Sequence, residues 1–201
     1  MQAGLLPSTL ILSASDESAG TAVPPRDDSR GDVLAAQGGE REAFDRLIQR
    51  HQRDVYRLCY RYVNNHHDAN DLAQDVFLKA YRAIGRFRGD SSFATWLYRI
   101  AVNTCLNFRS ARRPDTEELP EALPDRRPGA PDRLMSEERS RLVRKAVTAL
   151  PERQRATLIL KVYHDLTHEE VARILGSSVG TVKANLFHAL ANLKKQFNLA
   201  E

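Results

Sequence analysis

Three sets of side chains have the types and spacing to do chemistry, and each points to binding rather than to bond-making. The first is Phe87-Arg-Gly-Asp-Ser-Ser-Phe-Ala-Thr-Trp-Leu-Tyr-Arg-Ile-Ala-Val-Asn103, with Asn107, Arg109, Arg112 and Arg113 after it. Aromatic rings beside cations can stack unpaired bases while holding a phosphate backbone. On a helix of about 100° per residue, Phe93, Leu97, Ile100 and Phe108 share one side, and Arg99, Asn103, Arg109 and Arg113 share another. Phe93, Trp96 and Phe108 read as core. The polar side, with Arg88 ahead of it, needs an anionic partner, and nucleic acid is the economical one.

The second set is Leu166-Thr-His-Glu-Glu-Val-Ala-Arg-Ile-Leu-Gly-Ser-Ser-Val-Gly-Thr-Val-Lys183. Thr167 and Glu170 have capping-box spacing, and Leu166 can staple against Val171. Gly176 can end the short helix in a left-handed conformation, and Ser178 can cap the next. Two helices joined by so short a turn form a helix-turn-helix. In the second helix Val179, Val182, Leu186, Leu190 and Leu193 form an apolar stripe. Thr181, Ala184, Asn185, His188 and Asn192 fall opposite. That short, neutral face suits a major groove, where Asn pairs with adenine and Thr touches a thymine methyl. Lys183 and the helix N-terminus can hold phosphates.

The third set is Asp68, Asp71 and Asp75, which share one stripe of a helix, with Gln74 beside them. Two readings stand level: stabilisation of a helix N-terminus by acids, and docking on a basic protein surface. The histidines are less informative. His164 and His168 are four apart and His66-His67 adjacent, but no His-Glu-x-x-His and no cysteine completes a zinc set. They read as turn or surface residues, and no metal, cofactor or catalytic residue is expected. Cys59 and Cys105 read as core thiols in a reducing compartment.

These groups must be positioned by helices. Residues 26–113 and 152–201 contain no proline, whereas five prolines crowd 114–131. Helix interiors exclude proline, so the gaps are where long helices can run. Helices are predicted from Phe44 past Tyr62, from an Asp68 N-cap towards Ile84, and from Ser92 to about Arg113. Others are predicted near 136–149, 151–163, 167–175 and 178–197. Strand alternation is absent, so the fold class is all-α. Charge divides the 201 residues in the same way. Residues 1–40 carry net −4, 41–113 net +7, 114–136 net −3 and 137–201 net +4. The organisation expected is a disordered tail over 1–31, a helical domain over 32–113, an acidic Pro-rich flexible linker over 114–135 and a second helical domain over 136–201. No apolar run approaches the roughly 20 residues of a membrane span. Leu5–Leu12 makes a poor signal peptide, with no preceding positive charge and Pro7 inside it.

With these residues in view, the chain resembles a bacterial RNA polymerase sigma factor of the extracytoplasmic-function group. Asp71-Leu-Ala-Gln-Asp-Val-Phe-Leu-Lys-Ala-Tyr81 is similar to sigma region 2.2. The segment Phe87–Thr104 is similar to regions 2.3 and 2.4, and Leu150-Pro-Glu-Arg-Gln-Arg155 with the helix-turn-helix is similar to region 4. The resemblance implies a cytoplasmic, non-catalytic subunit that directs core polymerase to promoters. It implies that the Asp68, Asp71, Gln74 and Asp75 helix docks on the beta-prime clamp helices. Phe87, Arg88, Arg99, Asn103, Asn107, Arg109, Arg112 and Arg113 would read and melt the minus-ten element. Of these, Phe87 and Asn103 match positions at a flipped-base pocket. Ser178, Thr181, Lys183, Ala184, Asn185 and His188 would read the minus-thirty-five element, with region 4 also touching the beta flap. An anti-sigma factor is an expected partner.

The chain departs from that pattern in one place. Many relatives carry Ser-Arg after Thr181-Val182-Lys183 and more arginines beyond. Here Ala184-Asn185, His188 and Leu190 stand there, so fewer charges face the groove. An alternative is a helix-turn-helix regulator that acts without polymerase. It explains the C-terminal motif but not Phe87–Asn103.

Overall fold

A computed structural model describes residues 29–111 and 131–198; the expected tail and linker fall almost wholly outside them. The described residues form helices and turns only. In chain order the helices are α1 (Arg30–Gln37), α2 (Arg41–Val63), α3 (His66–Ala83), α4 (Phe93–Ala111), α5 (Pro131–Thr148), α6 (Glu152–Leu158), α7 (His168–Leu175) and α8 (Val179–Asn198).

Local chemistry explains most boundaries. α2 ends at Asn64, which adopts the left-handed conformation at φ 54° and returns its N–H to Tyr60 O. The next residue, Asn65, caps α3 by accepting from Asp68 N at 3.1 Å. The predicted Asp68 cap is therefore corrected: Asp68 lies inside the first turn, where a carboxylate still favours the helix dipole. Ser92 Oγ accepts from Thr95 N at 3.1 Å and opens α4. Thr167 and Glu170 form the full capping box, and Gly176 ends α7 at φ 58°.

Three features differ from expectation. α1 was not foreseen, being too short to show a helical period. α5 begins at Pro131, five residues early, because proline at a first helical position loses no hydrogen bond. The helix expected over 151–163 is α6 followed by a π turn, Ile159–Tyr163. That turn leads to His164 and to Asp165 at φ 48°.

The first four helices pack around Leu47, Val55, Leu58, Val76, Leu97 and Ala101, all without solvent exposure. Cys59 and Cys105 meet in this core with Sγ atoms 3.9 Å apart and remain free thiols. The Cys105 hydrogen bond and then burial push the Cys59 thiol well up, which keeps it protonated and unreactive. The last four helices enclose Ile159, Leu160, Val171 and Val182.

The two halves also touch. Tyr98 of α4 packs on His164 with ring centres 5.0 Å apart, and the Arg61 guanidinium lies 3.6 Å from the Tyr163 ring centre. Tyr62 OH donates to Glu152 O at 3.4 Å. Arg155, only 1% exposed, closes the C-terminus of α5. It donates to the carbonyls of Val147 at 3.1 Å, Leu150 at 2.9 Å and Thr148. Val147 O also accepts from Leu150 N at 3.2 Å and Thr148 O from Arg109 at 3.4 Å, so the guanidinium adds to those bonds and supplies the donor for Leu150 O.

Candidate nucleic-acid interface

α4 is buried around most of its circumference. Phe93, Leu97 and Ala101 face α2 and α3, while Tyr98 faces the second half. Apart from the terminal Ala111, what remains exposed is a narrow stripe: Arg99, Asn103, Asn107 and Ser110. At about 100° per residue these four fall within roughly 80° of one another. Beside the stripe lies an open groove of about 260 Å³, lined by Asn103, Asn107, Ile100 and Thr104 of α4 and by Lys79 and Ala83 of α3.

Lys79 links this groove to the acidic stripe. Its Nζ donates to Thr104 Oγ1 at 3.1 Å and pairs with Asp75 at 2.7 Å. Asp71 pairs with His67 at 3.0 Å. Asp71 and Gln74 are exposed; Asp68 and Asp75 are half-buried. The four predicted docking residues thus lie on one helix, adjacent to the groove, with a lysine between the two sites.

Other expected residues stand apart from the groove. Phe87 is half-buried among Trp96 and Phe93, with ring centres 5.2 and 6.0 Å away. It does not line the groove with Asn103. Ten residues of helix separate Phe93 from Asn103, a rise of about 15 Å. Arg88 is exposed on the same loop. Arg109 turns to the second half and donates to Thr148 O at 3.4 Å. Arg112 and Arg113 lie outside the described residues.

The second interface is α8. Ser178 Oγ accepts from Thr181 N at 3.1 Å and starts the helix. Thr181, Lys183, Ala184 and His188 are exposed, while Asn185 is half-buried at the edge of their face. The predicted apolar stripe holds at Val179, Val182, Leu186 and Leu193, but its edge shifts. Ala189, not Leu190, is buried, and Leu190 is 52% exposed. Asn192, expected on the groove face, instead donates to Gln154 of α6 at 2.8 Å. The shift brings out Phe187, which is 69% exposed and meets the His188 ring edge-on. Sequence reasoning missed Phe187 because it took Leu190 for the buried position. The available signal was Ala189, whose small side chain lets α8 approach its neighbours closely.

The histidines find local partners: His66 stacks on Tyr60, His67 pairs with Asp71 and His164 packs on Tyr98. Among the described residues no three His, Cys, Asp or Glu side chains gather as a metal set.

Comparisons with known proteins match both halves of the chain to one family. The family model for sigma-70 region 2 matches residues 47–114, and that for sigma-70 region 4 matches residues 140–193. The RNA polymerase sigma-H factor of Pseudomonas aeruginosa is 38% identical over 176 residues, covering 81% of this chain and 90% of that protein. The ECF RNA polymerase sigma-E factor of Escherichia coli is 42% identical over 168 residues, covering 78% and 87%. Among solved structures, CnrH in complex with the cytosolic domain of CnrY has the same fold, with a TM-score of 0.67 at 24% identity over 86% of this chain and 99% of that one. The sigma factor RpoE in complex with the anti-sigma factor NepR from Bartonella quintana aligns with a TM-score of 0.57 at 19% identity, over 79% and 98%. An all-α chain carrying an exposed Arg–Asn stripe, an acidic helix and a helix-turn-helix, matched by both region models, belongs to the extracytoplasmic-function group of the sigma-70 family and directs promoter-specific transcription.

Proposed function

We propose that the first unit, residues 32–113, docks on core RNA polymerase and opens the minus-ten element, and that the second, residues 136–201, holds the minus-thirty-five element. The observation that carries this reading is the Arg99–Asn103–Asn107 stripe beside its groove. An amide on an exposed helix face can pair with the edge of an unstacked base, while Arg99 and Lys79 supply positive charge for the backbone. Asp71 and Asp75 face the clamp helices of the beta-prime subunit. Thr181, Lys183, Ala184, Asn185 and His188 meet the upstream duplex, with Phe187 added to them, and region 4 also touches the beta flap. Residues 114–135 join the units, and residues 1–31 precede them.

The chain acts in the cytoplasm as a recognition subunit, and bond-making belongs to the polymerase. No described helix is long and apolar enough to cross a membrane. The sigma factor RpoE of the same fold is in complex with the anti-sigma factor NepR, and a comparable partner is proposed for this chain.

The test is Asn103→Ala. Core-polymerase binding and upstream DNA binding should persist, since neither uses the groove. Open-complex formation should fall, because a flipped base costs a few kcal/mol that its pocket must offset. A template premelted over the minus-ten element should restore only part of the loss. Permanganate reactivity of unpaired thymines reads both. Parental melting of duplex DNA by the variant would return Asn103 to a structural role.

A further inference from the structure

The loop that carries Phe87 and Arg88 is tied to a helix that neither interface includes. Gln37, the last residue of α1, donates through Nε2 to Ile84 O at 3.0 Å and to Phe87 O at 2.7 Å. Both amide protons are thus spent on one short segment. Ile84 opens the 3-10 turn Ile84–Arg86 that follows α3, and Phe87 ends it in extended conformation at φ −71°, ψ 117°. Ile84 O already accepts from Phe87 N at 3.0 Å within the turn, whereas Phe87 O lies past its end and needs a donor from elsewhere.

Gln37 is itself held in register. Glu40 N donates to Ala35 O at 3.0 Å and Gly39 N to Ala36 O at 3.1 Å, with Gly39 at φ 95°. This is a Schellman closure, which requires the left-handed residue and fixes the last turn of α1. The side chain of Gln37 therefore starts from a defined point.

We infer that Gln37 is a positioning residue for minus-ten reading: it clamps the Ile84–Phe87 backbone so that the Phe87 ring and Arg88 are presented in one place. This takes Phe87 and Arg88 to join Asn103 in reading the minus-ten element, the role that the family resemblance implies for them. The ring cluster offers a native reporter, because Trp96 is the chain's single tryptophan and lies 5.2 Å from Phe87.

The experiment uses the full chain, Gln37→Glu, Gln37→Ala and Phe87→Ala. The probe is a single-stranded oligonucleotide selected on the parent from a randomised pool. Glu has the shape of Gln but turns a carboxylate towards two carbonyl oxygens. Gln37→Glu should shift Trp96 emission to the red and raise its quenching by acrylamide. It should also weaken oligonucleotide binding about tenfold, the scale of one to two net hydrogen bonds, and flatten base preference. Lowering the pH protonates the carboxylate and returns one donor, so emission should move back towards the parent's. Gln37→Ala should show the same losses with no such recovery. Core-polymerase binding should be unchanged in both.

If Gln37→Glu keeps the parent's emission and base preference while Phe87→Ala loses preference, the clamp is overturned and the loop's role stands. If Phe87→Ala itself keeps the parent's preference, the minus-ten role of the loop fails and the inference falls with it.

Discussion

At the scale of single residues, α8 separates contacts that specify from contacts that only hold. Lys183 is exposed near the helix start, where a cation reaches phosphate. Lys183→Ala should weaken binding to all upstream sequences alike and lower the salt slope by about one. Phe187 has no polar atom to offer a base edge, but an exposed ring can contact a thymine methyl. Phe187→Ala should cost about 1 kcal/mol at one base pair, the scale of one buried methyl group, and relax discrimination there, with the salt slope unchanged. Binding titrations against a panel of single-base variants, repeated at several salt concentrations, check both. The half-buried Asn185 should contribute less than a fully presented amide. Its variant preference profile, compared with that of Phe187→Ala, ranks the two.

At the scale of elements, the acidic helix and the cap of α5 make opposite demands on charge. Asp71 and Asp75 pair with His67 and Lys79 at partly exposed sites, where ion pairs contribute little to stability. Replacing both by Lys should therefore leave helicity and thermal stability close to the parent's. Affinity for core polymerase should fall, and an unchanged pull-down would remove the docking role. Arg155 is the contrary case. Its guanidinium is buried, serves three carbonyls and lies 5.6 Å from the Tyr62 ring centre. Arg155→Met keeps apolar volume but takes the donor from Leu150 O, and a buried acceptor left unpaired costs about 1–3 kcal/mol. The expected loss is about 2 kcal/mol, read from denaturant unfolding followed by circular dichroism. A change well below about 1 kcal/mol would show that water reaches that carbonyl without effort.

At the scale of the whole molecule, the two halves lie against each other. The minus-ten and minus-thirty-five elements lie about 25 base pairs apart, or about 85 Å along B-DNA. On the proposed function, reading both requires the halves to part, and the chain from residue 111 to residue 131 can extend to at most about 70 Å. His164 bears on this step. Burial, then the charges of Arg61 and Arg57, lower its pKa to about 4 from the ordinary 6.5. The packed state therefore prefers a neutral ring. Its stability is fully present above pH 6.5 and is lost as pH falls towards 4. Holding the ring neutral over that interval is worth up to about 3 kcal/mol. Energy transfer between dyes on the two halves should report separation as pH drops from 7 to 5. His164→Gln should flatten that response. An identical pH response in the variant would assign the change to other groups.

Much of this was legible in the sequence because it depends on local rules. The capping box at Thr167, the turn at Gly176 and the proline-free spans follow from neighbours a few residues apart, so type and spacing suffice. The Arg99 and Asn103 face could also be read, since one helical period places it. What the tertiary structure decided were orientations that depend on distant partners. Whether Ala189 or Leu190 is buried turns on how closely α8 approaches its neighbours, and the choice shifts the buried stripe by about 20° while Thr181, Ala184 and His188 stay exposed. Arg109 has the same type and spacing as its neighbours but donates to Thr148, because the second half packs on that side of α4. Gln37 shows no pattern at all in the sequence. Its role depends on the meeting of α1 with a turn 47 residues further along the chain, which only the packed fold brings within hydrogen-bond reach.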